Sequence, residues 1–187
     1  MSSASAPSCG PRSVAKRHIA PLGHGRVRLR LLEESDLPMT LAWRNQDHVR
    51  KWFFHSDIIT ADQHRRWFEQ YRDRDDDFMF VIEEAETLRR AIGQASIYNI
   101  AWADRRGEFG RLLIGDPQAV GLGLARMATE LLVGEAMSSL GLLELHLEVR
   151  SDNVPAIAVY RACGFARTDS RAGVDLMRVT RSPKGPG

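Results

Sequence analysis

The sequence is poor in the residues and patterns that mark metal, membrane and nucleic-acid proteins. Its two cysteines, Cys9 and Cys163, lie far apart, so we expect neither a disulfide framework nor a metal site, in keeping with a cytoplasmic protein. No apolar run approaches the ~20 residues that cross a bilayer. The formal net charge of +2 is too small to indicate a nucleic acid or a membrane surface as partner.

The two ends differ in composition from the middle of the chain. Residues 1–25 are rich in Ser, Ala, Pro and Gly and lack the continuous apolar segment of a secretory signal, so we predict a flexible extension. Residues 182–187 (SPKGPG) are predicted to form a short tail. The rest, residues 26–181, is long enough to fold as one domain with its own core.

The hydrophobic pattern of this domain predicts both strands and helices. Apolar and polar side chains alternate in residues 27–31 and 143–149, which predicts half-exposed strands. Thr60 is predicted to begin a helix, and the acidic run 73–77 is interpreted as a solvated loop. The predicted order is β-α-α-β-β-β-α-β-α-β-β, which indicates a mixed sheet with one central strand–loop–helix–strand unit.

A glycine turn lies inside that central unit. An apolar strand ending at Ile114 is followed by residues 118–123 (QAVGLG), and a helical pattern begins at Leu124. Free backbone N–H groups and the positive end of a helix then face one point, which favours a phosphate. A dinucleotide fingerprint would place a third glycine where Arg126 stands. We therefore predict a single pyrophosphate-bearing cofactor.

Two motifs resemble those of the GCN5-related N-acetyltransferases (GNAT). Gln118-x-x-Gly121-x-Gly123 is similar to the family's pyrophosphate loop. About 30 residues on, residues 146–150 (HLEVR) and the pattern Asn153-x-x-Ala156-Ile157-x-x-Tyr160-x-x-x-Gly164-Phe165 resemble its second acetyl-CoA segment. The resemblance covers nearly the whole domain. It implies an α/β (α+β) fold with a mostly antiparallel sheet of about seven strands and about four helices, and acetyl-CoA as co-substrate without a metal.

The resemblance also implies roles for individual residues. Backbone groups of Leu112, Leu113 and Ile114 would pair with the pantetheine arm of acetyl-CoA. The pyrophosphate would be held by N–H groups of Gln118, Ala119, Val120, Gly121, Leu122 and Gly123, and Asn153 would also reach the cofactor. Tyr160 would act as general acid and protonate the leaving thiolate. Tyr160 could instead be only a core aromatic on the inner face of its helix.

The general base stays open between several candidates. An amine must lose a proton to attack the thioester, so a carboxylate or imidazole near it, directly or through water, would help. Glu108 lies on the strand that leads to the glycine turn and is our first candidate. His146, with Glu144 and Glu148 on the same face of its strand, is the second. Each could instead be a surface or hydrogen-bonded residue.

The N-terminal half indicates the amine acceptor. Aromatic side chains are interleaved with basic and amide ones over residues 43–67, a pattern that resembles the nucleotide-linked amino-sugar acetyltransferases of the pseudaminic-acid pathway. That resemblance implies the 4-amino group of a UDP-linked dideoxy sugar as acceptor, bound by Arg44, Asn45, Trp52, His55 and His64. Trp43 and the other aromatics could instead be core anchors.

Other functions stay open beside this one. A ribosomal-protein type N-terminal acetyltransferase shares the predicted N-terminal strand and helix, although it would favour a more acidic groove. A drug or polyamine acetyltransferase is a further alternative. A catalytically inactive CoA-binding sensor would not need to keep Tyr160. The expected partner is a small-molecule amine, and a homodimer is left open as the assembly.

Overall fold

A computed structural model describes residues 16–181 of the chain. Within that range, eight strands form one sheet in the order β1-β2-β3-β4-β5-β6-β8-β7. The strands are β1 (Leu22–His24), β2 (Val27–Leu31), β3 (Phe78–Glu84), β4 (Arg90–Ala101), β5 (Arg106–Ile114), β6 (Glu144–Arg150), β7 (Ala166–Arg171) and β8 (Val174–Thr180). The helices are α1 (Leu37–Arg44), α2 (Asp47–Arg50), α3 (Ala61–Tyr71), α4 (Leu124–Ser138) and α5 (Val154–Ala162), with short 3-10 turns at Glu34–Asp36 and Pro117–Ala119. The predicted mixed sheet is confirmed. The structure adds two elements to the predicted order, the strand β1 and the short helix α2.

The sheet begins before the boundary that we predicted at residue 26. Leu22–His24 pair antiparallel with β2, and Ile19 is buried in the core at 7% exposure. The Lys16 side chain donates a hydrogen bond to the carbonyl of Tyr71 at 3.0 Å. Residues 16–25 therefore belong to the domain, while the rest of the predicted extension and the predicted tail lie outside the described residues.

Helices cover both faces of the sheet. On one face, α4 and α5 pack on the main core, which contains Phe78, Phe80 and Ile82 of β3. On the other face, Met79 and Val81 of the same strand pack against α3. Because successive side chains of a strand point to opposite faces, a strand buried on both sides becomes a continuous apolar run.

The two central strands part after a short parallel pairing. β5 and β6 pair only from Arg106 to Glu108 on one strand and from Glu144 to His146 on the other. The ladder of β5 with β4 continues to Ile114 but shifts register near Arg111, whose φ of 52° marks a β-bulge. The edge of β5 beyond Glu108 consequently faces a cleft instead of a neighbouring strand.

Candidate active site

A cavity of about 190 Å³ lies in this cleft, which we call the strand cleft. Its walls come from β4, β5, β6, α5 and the 51–59 loop, which lies between α2 and α3. The lining includes Glu108, Leu112, Asn153 and Tyr160. Four residues that the sequence motifs singled out separately are thus brought to one place.

Tyr160 is both a core aromatic and a wall of the strand cleft. Its side chain is 7% exposed, and its ring packs against Phe109 and Phe165 with centroid distances of 5.9 Å each. Burial raises the pKa of Tyr160, so the phenol keeps its proton at neutral pH. A protonated phenol at the cleft has the chemistry required of a general acid, and that role stays a prediction.

Glu108 is held by two donors, neither of which we predicted. The Tyr98 hydroxyl donates to one carboxylate oxygen of Glu108, and the Asn99 amide donates to the other at 3.0 Å. Burial and this contact with Glu108 raise the pKa of Tyr98, so its hydroxyl remains a donor. A Cβ added at Gly110 would stand only 3.0 Å from the Tyr98 hydroxyl, which shows how closely the ring packs on β5.

The second candidate base lies beside the first. Glu108 and His146 are register partners in the parallel pair of β5 and β6. The His146 Nε2 atom is 4.0 Å from the Glu108 Oε2 atom, and the imidazole is 49% exposed. The structure therefore brings together two residues that the sequence offered as alternatives.

The glycine turn keeps only part of its predicted set of donors. The N–H groups of residues 118–120 bind within the turn, to the side chain and carbonyl of Asp116 and to the carbonyl of Pro117. Gly121 and Gly123 have φ values of 79° and 74° and lead directly into α4. The N–H groups at the start of an α-helix have no intrahelical partner. Of the predicted pyrophosphate donors, those of residues 121–123 and of the first turn of α4 are therefore the ones not used within the turn, and the site stays a prediction.

The fit of acetyl-CoA to this region rests on open backbone. A Cβ placed at Gly121 or Gly123 would meet nothing within 4 Å, so a phosphate can approach the turn closely. Leu113 and Ile114 pair with β4 along one edge of β5, and Leu112 lines the strand cleft. Asn153 caps α5 by accepting the Ala156 N–H at 3.3 Å through Oδ1, which leaves its amide nitrogen able to donate to a ligand.

A larger cavity of about 520 Å³ lies on the sheet face that carries α1 and α3; we call it the helix-side cavity. It is lined by Thr40, Arg44, Phe53, His55, Asp57, Ile58, Ile59, Gln63, His64, Trp67, Met79, Gln94 and Arg111. Phe53 and Arg111 also line the strand cleft. The two cavities consequently meet at these two side chains.

Two of the predicted acceptor-binding residues instead hold the 51–59 loop. Asn45 donates to the Ile59 carbonyl at 2.8 Å and accepts the Ile59 N–H at 2.9 Å, so both ends of its amide are used. Arg44 donates to the His55 carbonyl at 2.5 Å and stacks on the Phe53 ring at 3.9 Å. Guanidinium and amide groups here satisfy the backbone of an irregular segment, and contact of Arg44 and Asn45 with the acceptor stays a prediction.

The other three predicted acceptor residues divide between the cavities. Trp52 lines the strand cleft, whereas His55 and His64 line the helix-side cavity. His64 Nε2 lies 3.1 Å from the Thr40 hydroxyl, and burial lowers the pKa of this imidazole. His64 is therefore neutral at physiological pH.

Sequence reasoning missed the pair of Arg111 and Asp77. Asp77 is 1% exposed, although the acidic run that it ends was predicted to be a solvated loop. It accepts hydrogen bonds of 2.7 to 3.0 Å from both terminal nitrogens of Arg111. The Arg111 guanidinium also lies 4.1 Å from the Tyr98 ring centroid. This ion pair fixes the bulged part of β5 between the two cavities.

Candidate metal and membrane features are absent from residues 16–181. No group of three or more His, Cys, Asp or Glu side chains is placed to hold a metal ion in that range. No helix there combines the length and the apolar character that crossing a bilayer requires.

Known proteins resemble this chain in both sequence and structure. Residues 26–166 match the family described as "Acetyltransferase (GNAT) domain". The spermidine N(1)-acetyltransferase of Vibrio cholerae is 25% identical over 142 residues, 76% of this chain and 80% of that protein. The corresponding Escherichia coli enzyme is 29% identical over 147 residues, 78% of this chain and 75% of that protein. A crystal structure of Vibrio cholerae spermidine N-acetyltransferase in complex with CoA and spermine has a TM-score of 0.75 at 22% identity, covering 83% of this chain and 95% of that one. The chain belongs to the GNAT family and is an N-acetyltransferase that uses acetyl-CoA.

Proposed function

We propose that the chain transfers the acetyl group of acetyl-CoA directly to the primary amine of a small molecule bound in the helix-side cavity. The observation that carries this proposal is the meeting of that cavity with the strand cleft at Phe53 and Arg111. Tyr160 and Glu108 both line the strand cleft. A proton donor and a proton acceptor therefore lie where donor and acceptor substrates would meet.

Each residue has a defined task in this proposal. The turn at residues 121–123 and the start of α4 bind the pyrophosphate, and the free edge of residues 112–114 orients the pantetheine arm. The Glu108 carboxylate takes a proton from the substrate ammonium and frees the nitrogen lone pair for attack. The Tyr160 hydroxyl gives its proton to the sulfur as the carbon–sulfur bond breaks and regains one from solvent. The nitrogen's second proton passes to water as the amide forms.

The acceptor that we propose first is a polyamine. The relatives named above are spermidine acetyltransferases. The helix-side cavity has apolar walls, including Phe53 and Trp67, which suit methylene chains, and the carboxylate of Asp57 lies among them. Glu108 adds a second carboxylate at the reacting end. Of the two arginines that also line this cavity, Arg111 is paired with Asp77 and Arg44 is bound to the His55 carbonyl. The two carboxylates and the apolar walls therefore suit an acceptor with two ammonium groups joined by methylenes.

The nucleotide-linked amino sugar finds less support. Recognition of its diphosphate was expected from basic and amide side chains around Arg44. Arg44 and Asn45 are engaged with the backbone of the 51–59 loop, and Arg50 binds Asp47 and the Ser56 carbonyl. The two relatives described above are named for spermidine, which is a polyamine and not a sugar.

The assembly belongs to the same proposal. A spermidine N-acetyltransferase structure from Vibrio cholerae is described as dodecameric. We therefore propose that this chain self-associates, in a homodimer or a larger oligomer. Sedimentation velocity at micromolar concentration tests this, and a monomer across that range would contradict it.

Thiol release from acetyl-CoA tests the reaction and its acceptor together. The panel contains spermidine, spermine, simple monoamines, a UDP-linked 4-amino sugar and an N-terminal peptide. We expect the highest kcat/KM with a polyamine. Turnover confined to the sugar or to the peptide would refute the polyamine assignment, and acetyl-CoA binding without turnover on any amine would favour a sensor.

The variant Tyr160→Phe tests the general acid. We expect kcat to fall roughly a hundredfold, because general acid catalysis is worth at least this much, while the KM for acetyl-CoA changes little. Tyr71→Phe is the matched control, since Tyr71 is also buried, at 3% exposure, but its hydroxyl bonds to the backbone of Met79. Equal kcat values for the two variants would remove Tyr160 from the mechanism.

A further inference from the structure

We propose that His146 receives the proton that Glu108 takes from the substrate amine and delivers it to solvent. This inference rests on the proposed function. Glu108 and His146 are register partners at the point where β5 and β6 part, with 4.0 Å between Nε2 of the imidazole and Oε2 of the carboxylate. That distance is slightly too long for a direct hydrogen bond, and a small side-chain rotation or one bridging water closes it.

The exposure of the two side chains gives the transfer a direction. The Glu108 side chain is 22% exposed and the His146 side chain 49%. Glu108 lines the strand cleft, whereas the imidazole reaches the surface. A proton that arrives on Glu108 while the cleft is filled by substrates therefore has an exit through His146. Imidazole is suited to this step because it binds and releases protons near neutral pH.

The hydrogen bonds of Glu108 show why such an exit matters. The Tyr98 hydroxyl and the Asn99 amide each donate to one carboxylate oxygen, which holds the Glu108 side chain in the strand cleft. A side chain held in this way cannot swing out to release the proton, which it must lose before the next amine binds. A proton acceptor beside it completes that cycle.

Charged side chains surround His146 on both neighbouring strands. Glu144 and Glu148 lie on the same face of β6 as His146, and Glu108 faces it from β5. Arg178 of β8 is the register partner of His146 on the other side, but its guanidinium bonds to Glu144 at 3.3 Å. Arg106 of β5 also approaches Glu144, at 3.7 Å. Both neighbouring cations are therefore partly neutralised by the same carboxylate.

The proton balance is simple. The ammonium N–H bond breaks and its proton forms an O–H bond on the Glu108 carboxylate. That O–H bond then breaks as the proton moves to Nε2 of His146, whose other nitrogen, Nδ1, already carries a hydrogen. The imidazolium releases one N–H proton to water and returns to the neutral form. No oxidant, metal or further reactant takes part.

The test uses His146→Asn, which removes the proton carrier from an exposed site. With saturating acetyl-CoA and spermidine, or the best amine of the panel, we expect kcat to fall about tenfold, less than a lost general base would cause because Glu108 remains. Added imidazole should restore kcat in a concentration-dependent way, since it can take the proton from Glu108. His24→Asn, at an exposed histidine of the distant strand β1, is the matched control and should show neither effect.

A double-mutant cycle adds a second readout. If the two residues act in series, Glu108→Gln and the double variant with His146→Asn should have equal kcat values. Wild-type kcat in His146→Asn, or a loss that imidazole does not restore, would overturn the proposal. A multiplicative loss in the double variant would also overturn it. A wild-type enzyme inactive on every amine would refute the proposed function itself, and the proton path with it.

Discussion

Removal of the Asp77 carboxylate should cost more stability than any surface charge of this chain. Asp77 is 1% exposed and Arg111 25%, and three hydrogen bonds of 2.7 to 3.0 Å join them. Removing one partner of a buried ion pair leaves the other charge uncompensated, at a cost of about 3–5 kcal/mol. Because Arg111 retains some contact with water, we expect Asp77→Ala to cost about 3 kcal/mol, the lower end of that range.

The neighbouring residue supplies the control. Asp76 pairs with Arg74 at 2.8 Å, with side chains 40% and 46% exposed. Exposed pairs of this kind contribute only about 0–1 kcal/mol, so Asp76→Ala should change the free energy of unfolding by less than that. Urea unfolding followed by circular dichroism measures both variants. In a thermal scan, a loss of about 3 kcal/mol corresponds to a fall in Tm of roughly 6–12 °C for a domain of this size.

Asp77→Ala should also affect the binding of acetyl-CoA, because Arg111 lies at the bulge in β5 and lines both cavities. Without Asp77 the Arg111 guanidinium no longer holds the backbone next to the predicted pantetheine site. We expect Asp77→Ala to raise the KM for acetyl-CoA several-fold below the unfolding temperature, whereas Asp76→Ala leaves it unchanged. Equal effects of the two alanine variants on stability and KM would refute the assignment of Asp77 to the bulge.

Three further predictions each concern one substitution. Gly110→Ala would bring a methyl group to 3.0 Å from the Tyr98 hydroxyl, so kcat should fall while the KM for acetyl-CoA holds, as steady-state kinetics will show. Burial alone would raise the pKa of Glu84, but hydrogen bonds from the Leu88 N–H and neighbouring donors outweigh it and lower the pKa to about 2. The stability that ionised Glu84 contributes is therefore present above pH 4.5, its ordinary value, and lost as the pH falls toward 2; in acid titrations, Glu84→Gln should lose less stability over that interval than the wild type. Gly123→Ala meets no neighbour but must adopt a φ of 74°, at a cost of about 1 kcal/mol, and calorimetry should show acetyl-CoA binding weakened.

The family resemblance rests on motifs that each lie on one element or one turn, so it could name candidate residues from the sequence alone. The phosphate turn, Asn153 and Tyr160 stand at fixed offsets along the chain, and the structure lines the strand cleft with the last two. Thr60 caps α3 as expected, because it accepts the N–H of Gln63 and the Gln63 side chain in turn accepts the Thr60 N–H. Helix caps and turns depend on neighbours in sequence, so a single chain reveals them.

Partners across strands could not be predicted in the same way. Tyr98 faces Glu108 only because β4 and β5 pair in one register, and a shift of one residue would turn the side chain to the other face. Asp77 meets Arg111 because a bulge reorients that part of β5. Neither the register nor the bulge leaves a mark in the local pattern. Strand β1 was missed for a related reason, since three residues are too few to show alternation.

The sequence did not distinguish two possible uses of the same side chains near the predicted acceptor site. Arginine and asparagine near aromatic rings suit a sugar diphosphate, but they also suit a loop whose carbonyls lack strand partners. Asn45 and Arg44 bond to that loop's backbone, and the loop carries Phe53, which lines both cavities. We therefore expect acceptor choice to depend on the loop that these residues hold as much as on any direct contact with the amine. Exchanging residues 51–59 should change acceptor preference more than replacing any one side chain that lines the helix-side cavity.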